Sequence, residues 1–163
     1  MPDYMSGFTD EDRERLFRFL VLFARWECAL KRNQFARKGS YDRAEADWDA
    51  FADTVTGSLA AVNAPGFTLA RTYLLNNPPK QQCFENDQIR WRDNPRRECE
   101  REDARYLFRV IRDVRNNLFH GGKYQDGRIE DLARDRQLVD SATTVLEAAV
   151  KLNAGIRQVF EED

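Results

Sequence analysis

The segment Val114–Lys123 holds three residue types that do chemistry on phosphates. It reads VRNNLFHGGK and contains His120, the one histidine of the chain, five positions after Arg115. Arginine binds phosphate oxygens through a planar fork that stays charged. An imidazole near neutral pH takes a proton from a hydroxyl or gives one to a leaving oxygen. With Asn116 to orient either partner, these groups suffice for metal-free attack of a ribose 2′-hydroxyl on the neighbouring phosphate.

These residues end a predicted amphipathic helix over about 100–119. On a helical wheel the core stripe comprises Ala104, Leu107, Phe108, Ile111, Val114 and Leu118. A second face, roughly 60° to 140° from Arg115, carries Arg109, Arg112, Asn116 and His120. Arg115 itself lies at the margin of the core stripe. Gly121-Gly122 end the helix and leave the histidine beside an open loop, where another backbone can approach closely.

The wheel leaves two interpretations open for each main candidate. His120 points away from the intramolecular core, so it is either exposed and inert or buried against RNA, a nucleotide or a second copy of the chain. Arg115 either binds phosphate or packs its stem on the core edge. Lys123 and Tyr124 follow the motif and are candidates for contact with phosphate or base, although a solvated loop is the favoured interpretation.

Three further side chains are candidates for contact with RNA. Arg109 and Arg112 either extend a phosphate track or form salt bridges with Asp113, Glu102 or the acidic C-terminal segment. Trp91, in the arginine-flanked RWR, either stacks on a base or anchors its loop on the core, and anchoring is the more common role.

Charge is distributed unevenly along the chain, although the whole carries a net charge of only −2. Residues 90–123 hold nine arginines and one lysine against six acids, a net of +4, whereas 124–163 have a net of −4. The whole chain is therefore not a generic nucleic-acid binder. The positive segment is either a phosphate-attracting patch or a set of solvated helix faces with paired charges.

Several classes of protein are disfavoured by composition. The three cysteines, Cys28, Cys83 and Cys99, are widely spaced and form no CxxC pair, which argues against a disulfide framework or a zinc site. With one histidine and no spaced acidic cluster, we expect no metal and no cofactor. No apolar run is long enough to span a bilayer, and the acidic N-terminus lacks the apolar region of a signal peptide. We therefore expect a cytoplasmic protein.

Helical periodicity dominates the chain and predicts one all-α domain over 1–163, a bundle of four main helices. The first helix begins at Thr9 and ends at Gly39-Ser40. The second begins near Asp42 with a capping box to Glu45 and is stopped by Pro65-Gly66. A short helix covers 67–75, and a long loop with a short helical piece around Ile89 and Trp91 covers about 76–98. The last helix covers about 135–160. We expect a core that buries Trp26, Trp48, Phe51, Leu107, Ile111 and Leu146.

The motif RNNLFH resembles the R-x(4–6)-H signature of the HEPN superfamily, with a polar residue directly after the arginine as in many of its ribonucleases. Its context is similar too: an amphipathic helix, a turn and one more long helix. The opening helix, LFARWECALKRNQF, resembles the aromatic-rich first helix of stand-alone bacterial members. The helix order extends the resemblance over most of the chain, although its specific residues are about ten. It implies a four-to-five-helix HEPN-like bundle.

The resemblance also implies a function and a partner. In such ribonucleases two motif-bearing helices meet across a two-fold axis and build one cleft. Carried over, Arg115 neutralises the scissile phosphate, His120 transfers protons and Asn116 orients them. Many members are toxins of toxin–antitoxin pairs or anti-phage effectors, and some pair with a nucleotidyltransferase that modifies a tyrosine two residues after the histidine. Here that position is Gly122, and the nearest tyrosine is Tyr124. Other members only bind a nucleotide, RNA or a partner protein.

Overall fold

The fold is a helical bundle built around one central helix. The computed structural model describes residues 7–119 and 131–162. Six α-helices lie in these ranges: α1 (Asp10–Arg32), α2 (Trp48–Ala60), α3 (Pro65–Asn76), α4 (Asp103–Phe119), α5 (Leu132–Ala149) and α6 (Ala154–Glu162). Helix α4 packs against α2, α3 and α5, while α1 packs against α5 and α6. Residues 106–111 of α4 are all buried, so the helix that carries Arg115 passes through the interior of the bundle.

The buried side chains recur along the chain with the 3.6-residue period of the helices. All six side chains expected to be buried are buried, and none exceeds 2% exposure: Trp26, Trp48, Phe51, Leu107, Ile111 and Leu146. The two tryptophan rings lie 5.8 Å apart, and both contact further aromatic rings from α1, α2 and α4. Aromatic rings of this size contribute much of the apolar area that a domain of this length buries. The predicted helical core is confirmed.

Helix α1 begins where the sequence predicts. Thr9 is the N-cap; its hydroxyl accepts from the Asp12 amide at 3.2 Å, and the Asp12 carboxylate accepts from the Thr9 amide at 3.0 Å. Asp12 is only 2% exposed and also accepts from Arg136 of α5, with Oδ2 2.6 Å from Nη2. These hydrogen bonds and the positive charge of Arg136 hold the pKa of Asp12 far below its ordinary value. One carboxylate thus caps α1 and joins it to α5.

The predicted ends of the first two helices are wrong. Helix α1 ends at Arg32, because Gln34 takes a left-handed φ of 66° and the chain turns into strand β1 (Ala36–Lys38). Strand β1 pairs antiparallel with β2 (Ala44–Ala46), with Ala36 opposite Ala46. The cap of α2 is Asp47, whose Oδ1 accepts from the Ala50 amide at 3.0 Å, and not the residue near Asp42.

Pro65 has the opposite role to the one predicted. Helix α2 already ends at Ala60, and Pro65 is the first residue of α3. Proline suits that position because its missing amide hydrogen would have had no partner inside the helix. The short third helix itself is confirmed, and it buries Phe67, Ala70 and Leu74.

The segment predicted as a long loop at about 76–98 contains a β-hairpin. Strands β3 (Gln81–Glu85) and β4 (Gln88–Arg92) pair antiparallel, with Phe84 opposite Ile89. Asn86 and Asp87 form the two-residue turn with φ of 51° and 58°, the left-handed pair that matches the twist of a hairpin. The expected helical piece around Ile89 and Trp91 is therefore wrong, since both residues lie on β4.

The last predicted helix is divided. Helix α5 ends at Ala149, a 3₁₀ turn covers Val150–Leu152, and α6 begins at Ala154. Asn153 makes the break, because its Oδ1 accepts from the Ile156 amide at 3.1 Å in the manner of an N-cap. The fold is thus mostly helical with two small antiparallel sheets, so the all-α prediction is correct only in its coarse form.

We predict that Asp12→Ala lowers the free energy of unfolding by about 2 kcal/mol, because it removes a helix cap and the charge-assisted bonds to Arg136. Asp10→Ala is the matched control in the same turn: its carboxylate is 98% exposed, and its pair with Arg13 is worth less than about 0.5 kcal/mol. Urea unfolding measures both changes. Equal losses in the two variants would contradict the role assigned to Asp12.

The same carboxylate predicts a dependence of stability on pH. The pKa of Asp12 is lower in the folded chain than the ordinary 3.8, so its stabilising contribution is present above that value and is lost as the pH falls toward the folded pKa. Acidification from about pH 5 to about pH 3 should therefore cost the wild type more stability than Asp12→Ala. Urea titrations at the two pH values test this expectation, and parallel losses would refute it.

Candidate active site at the end of the central helix

The last two turns of α4 bring Arg115 and Asn116 into direct contact. Nη1 of Arg115 donates to Oδ1 of Asn116 at 3.0 Å, and both side chains are half-buried. Neighbours in sequence point about 100° apart on a helix, so this contact requires the long arginine to bend toward the amide. The asparagine thereby restricts the orientation of the guanidinium.

Arg115 also touches the core. Its Cζ lies 5.6 Å from the centroid of the Phe23 ring, and Phe23 of α1 is 4% exposed. This agrees with the wheel, which placed Arg115 at the margin of the core stripe. A guanidinium over an aromatic face is attracted by the negative charge of the ring face. Arg115 is therefore held by two contacts, one with the ring of Phe23 and one with the side-chain amide of Asn116.

The remaining members of the motif lie outside the described residues. His120, Lys123 and Tyr124 belong to the segment 120–130, so their predicted roles stay predictions. The chain nevertheless fixes one relation: His120 directly follows Phe119, the last residue of α4. The histidine is thus four residues after Asn116 in the sequence.

Arg109 is not on an open face, and its expected contact with RNA needs correction. It is 6% exposed and forms ion pairs with Glu100 and with Asp113, the latter at 3.3 Å. It also donates to Asn94 Oδ1 and, at 2.9 Å, to the carbonyl oxygen of Pro95. The segment before α4 lies over this face of the helix and accepts hydrogen bonds from all three guanidinium nitrogens. Arg109 therefore forms salt bridges, with Asp113 as one of the partners named from the sequence and with Glu100, which was not among them.

In this buried cluster the carboxylate of Glu100 and the guanidinium of Arg109 form an ion pair in which both groups are charged. Burial by itself would raise the pKa of Glu100, but hydrogen bonds and charge from Arg109 bring it below its ordinary value. Burial likewise raises the pKa of Tyr106, whose hydroxyl donates to the Asn94 carbonyl at 3.2 Å. Both the acid and the guanidinium thus stay charged in the interior, where each depends on the other.

Arg112 remains at the surface. Its side chain is 33% exposed, and its Nη1 lies 4.0 Å from Oδ1 of Asp49 on α2. A pair at this distance between partly exposed groups contributes little to stability. Arg112 therefore keeps the partial exposure that contact with phosphate requires, and Arg109 does not.

Sequence reasoning missed the hairpin that borders the site. Asp113, one turn before Asn116, accepts from Gln81 Nε2 of β3 at 3.2 Å and from Asn94 Nδ2 at 2.8 Å. Asn117 donates to the Lys80 carbonyl at 2.8 Å. The polar side chains on this face of α4 therefore hold the hairpin against the helix. The two-residue Asn-Asp turn was the signal that could have revealed it.

The described residues offer no site for a metal. Within 7–119 and 131–162 no group of three His, Cys, Asp or Glu side chains is arranged to hold one. The three cysteines are free, and none of them is in a disulfide. No helix in these ranges has the length and apolar character needed to cross a membrane.

Comparison with known proteins gives no match: no family model, no curated protein and no solved structure matches this chain.

We predict that Arg109→Met destabilises the protein by about 3–5 kcal/mol, because it leaves Glu100 buried without its counter-charge. Arg112→Met is the control on the same helix and should cost less than about 1 kcal/mol. Chemical denaturation measures both values. If Arg109→Met unfolds at the same urea concentration as Arg112→Met, the ion pair does not stabilise the fold as inferred.

Proposed function

We propose that this chain is a metal-independent endoribonuclease of HEPN type. The observation that carries the proposal is the contact between Arg115 and Asn116 at the end of the central helix, with His120 four residues after Asn116 in the sequence. A guanidinium, an amide that orients it and an imidazole are the groups that we expect to carry out transesterification of RNA. No match to a known protein contributes to the proposal, which rests on these residues and on the resemblance of their motif.

The chemistry follows from the groups. Arg115 binds the two non-bridging oxygens of the scissile phosphate and neutralises the charge that builds up on them. The 2′-oxygen of the ribose attacks phosphorus while its proton passes to an imidazole, and the bond from phosphorus to the 5′-oxygen breaks. The departing 5′-oxygen takes up a proton. The products are a 2′,3′-cyclic phosphate and a 5′-hydroxyl, and the reaction consumes neither metal nor water.

The second candidate is a module of the same type that binds RNA, a nucleotide or a partner protein without cleaving it. The contact of Arg115 with Phe23 favours this alternative, because a guanidinium packed on the core is also what a purely structural arginine shows. The two candidates differ in one respect that can be measured, since only the first makes a new RNA end.

We propose that the active form is a two-fold dimer. Residues 106–111 of α4 are buried within a single chain, so a partner can reach only the end of the helix. There Arg112, Arg115 and Asn116 keep partial exposure. Two such ends, each with one imidazole, supply the base and the acid that the reaction needs.

The dimer is expected at micromolar concentration, and light scattering coupled to gel filtration measures it. A mass of twice 19.1 kDa agrees with the proposal. A protein that stays monomeric at these concentrations while it cleaves RNA contradicts the two-fold site.

We predict that the purified protein cleaves total RNA in EDTA and leaves 2′,3′-cyclic phosphate ends. His120→Ala removes the one imidazole of the chain, so cleavage should fall by about 10²–10⁴-fold. Arg115→Lys should also be poor, because lysine keeps the charge and loses the fork. Arg101→Lys, an exposed position before α4, is the matched control. A melting curve for each variant separates lost chemistry from lost folding.

Two results would overturn the ribonuclease proposal. One is intact RNA after incubation with wild-type protein free of any inhibitor, together with measurable RNA binding, which would favour the non-catalytic module. The other is cleavage by His120→Ala at the wild-type rate.

For the cellular role we propose a toxin or an anti-phage effector, with a nucleotidyltransferase-like protein as the candidate antitoxin. Growth arrest on expression of the wild type, and normal growth with His120→Ala, is the result expected.

A further inference from the structure

A polar groove runs between the β3–β4 hairpin and the end of α4. Its volume is about 340 Å³, near the lower limit of about 300–1,000 Å³ for sites that bind small molecules. The hairpin contributes Gln81, Gln82, Cys83 and Arg92 to its lining, and α4 contributes Asp113, Asn116 and Asn117. The groove therefore has room for a single nucleotide and not for a folded partner.

The walls of this groove are held together by hydrogen bonds on both sides. Gln81 donates to Asp113 across the groove at 3.2 Å, and Asn117 donates to the Lys80 carbonyl at 2.8 Å. Asp113 is fixed in turn by Asn94 and Arg109. A site built in advance loses less entropy when a ligand binds. The hairpin and the helix are thus held in position as the two walls of the groove before any ligand binds.

The lining indicates which ligand fits. Four of the seven lining side chains are carboxamides, while one guanidinium and one carboxylate balance each other in charge. This balance disfavours a polyphosphate, which requires an excess of positive charge. Three of these carboxamides, those of Gln81, Asn116 and Asn117, already use one polar atom in a hydrogen bond, whereas the Gln82 side chain makes none among the described residues. Gln82 therefore presents a donor beside an acceptor, the pattern that pairs with a base edge and most directly with adenine. Unpaired bases are read through such edges in single-stranded RNA.

The groove adjoins the candidate active site through one residue. Asn116 lines the groove and also accepts the hydrogen bond from Arg115 at 3.0 Å. A phosphate on Arg115 therefore places the neighbouring nucleotide at the groove. Arg92, on the hairpin side, is 62% exposed and pairs only weakly with Glu85 at 3.4 Å, so it is placed to meet the next phosphate.

We infer that this groove binds the base next to the scissile phosphate and prefers adenine in single-stranded RNA. The inference rests on the proposed ribonuclease function, because that function supplies the phosphate on Arg115. It assigns the base preference to the hairpin, a part of the fold that the motif itself does not include.

The test uses binding without cleavage. The probe is a fluorescein-labelled 2′-O-methyl decamer of uridine, with or without one central adenosine, because the methyl group blocks the attacking oxygen. The full-length wild type is compared with Gln82→Ala/Arg92→Ala, which changes the groove. The matched control is Gln88→Ala/Arg90→Ala, which removes the same side-chain types from the same hairpin; neither of those two residues lines the groove. Fluorescence anisotropy gives each affinity.

We expect the wild type to bind the adenosine probe about tenfold more tightly than the uridine probe, as one good base contact allows. The groove variant should lose this preference, and the control variant should keep it. A wild type that binds both probes equally, or neither, overturns the inference. So does an equal loss in the two variants, which would assign the effect to the charge of the hairpin as a whole.

The affinities for the two probes do not depend on whether the protein cleaves RNA. Adenosine preference in a protein that leaves unmodified RNA intact supports the groove and refutes the ribonuclease. Cleavage of unmodified RNA by a protein without adenosine preference refutes the groove and supports the ribonuclease.

Discussion

A guanidinium that is 6% exposed survives in a protein only when its donors are matched, and Arg109 is matched by groups from one stretch of chain. Glu100, Asn94 and the carbonyl of Pro95 all lie between β4 and α4. Desolvating the charge would be costly if any of them moved away. The need to satisfy this one side chain therefore holds the segment before α4 against the helix, and through that segment it sets where the hairpin lies.

The same constraint extends toward the candidate site. Asp113 follows Arg109 by one turn and binds it, and it also accepts from Asn94 and from Gln81 of the hairpin. The next turn carries Asn116 and Asn117, which face Arg115 and the base of the hairpin respectively. Three successive turns of α4 thus bind residues between 80 and 100, on both sides of the hairpin. Because the contacts are polar and directional, they fix one arrangement of hairpin and helix where apolar packing alone would allow several.

The sequence predicted what depends on local periodicity and failed where distant segments decide. The helical stripes identified every core side chain named in advance, because burial of one face imposes a period of 3.6 residues. The predicted helix end at Gly39 was wrong because strands of three residues leave no alternation to detect. The one at Pro65 was wrong because proline suits the first turn of a helix as well as its stop. Arg109 was placed correctly off the apolar stripe, yet whether that face meets water depends on a segment whose route no periodicity records. The hairpin was hidden by its polar composition, although Asn86-Asp87 marked its turn.

The position of Arg115 relates the fold to the proposed chemistry. A guanidinium on an exposed helix face would have to lose its side-chain freedom each time it bound a phosphate, at a cost in affinity. Here the ring of Phe23 and the amide of Asn116 have already restricted that freedom during folding. The contacts that identify a structural arginine are, for this reason, also the contacts that prepare a catalytic one. Packing alone does not distinguish the two roles, because a guanidinium whose orientation is restricted during folding suits both of them.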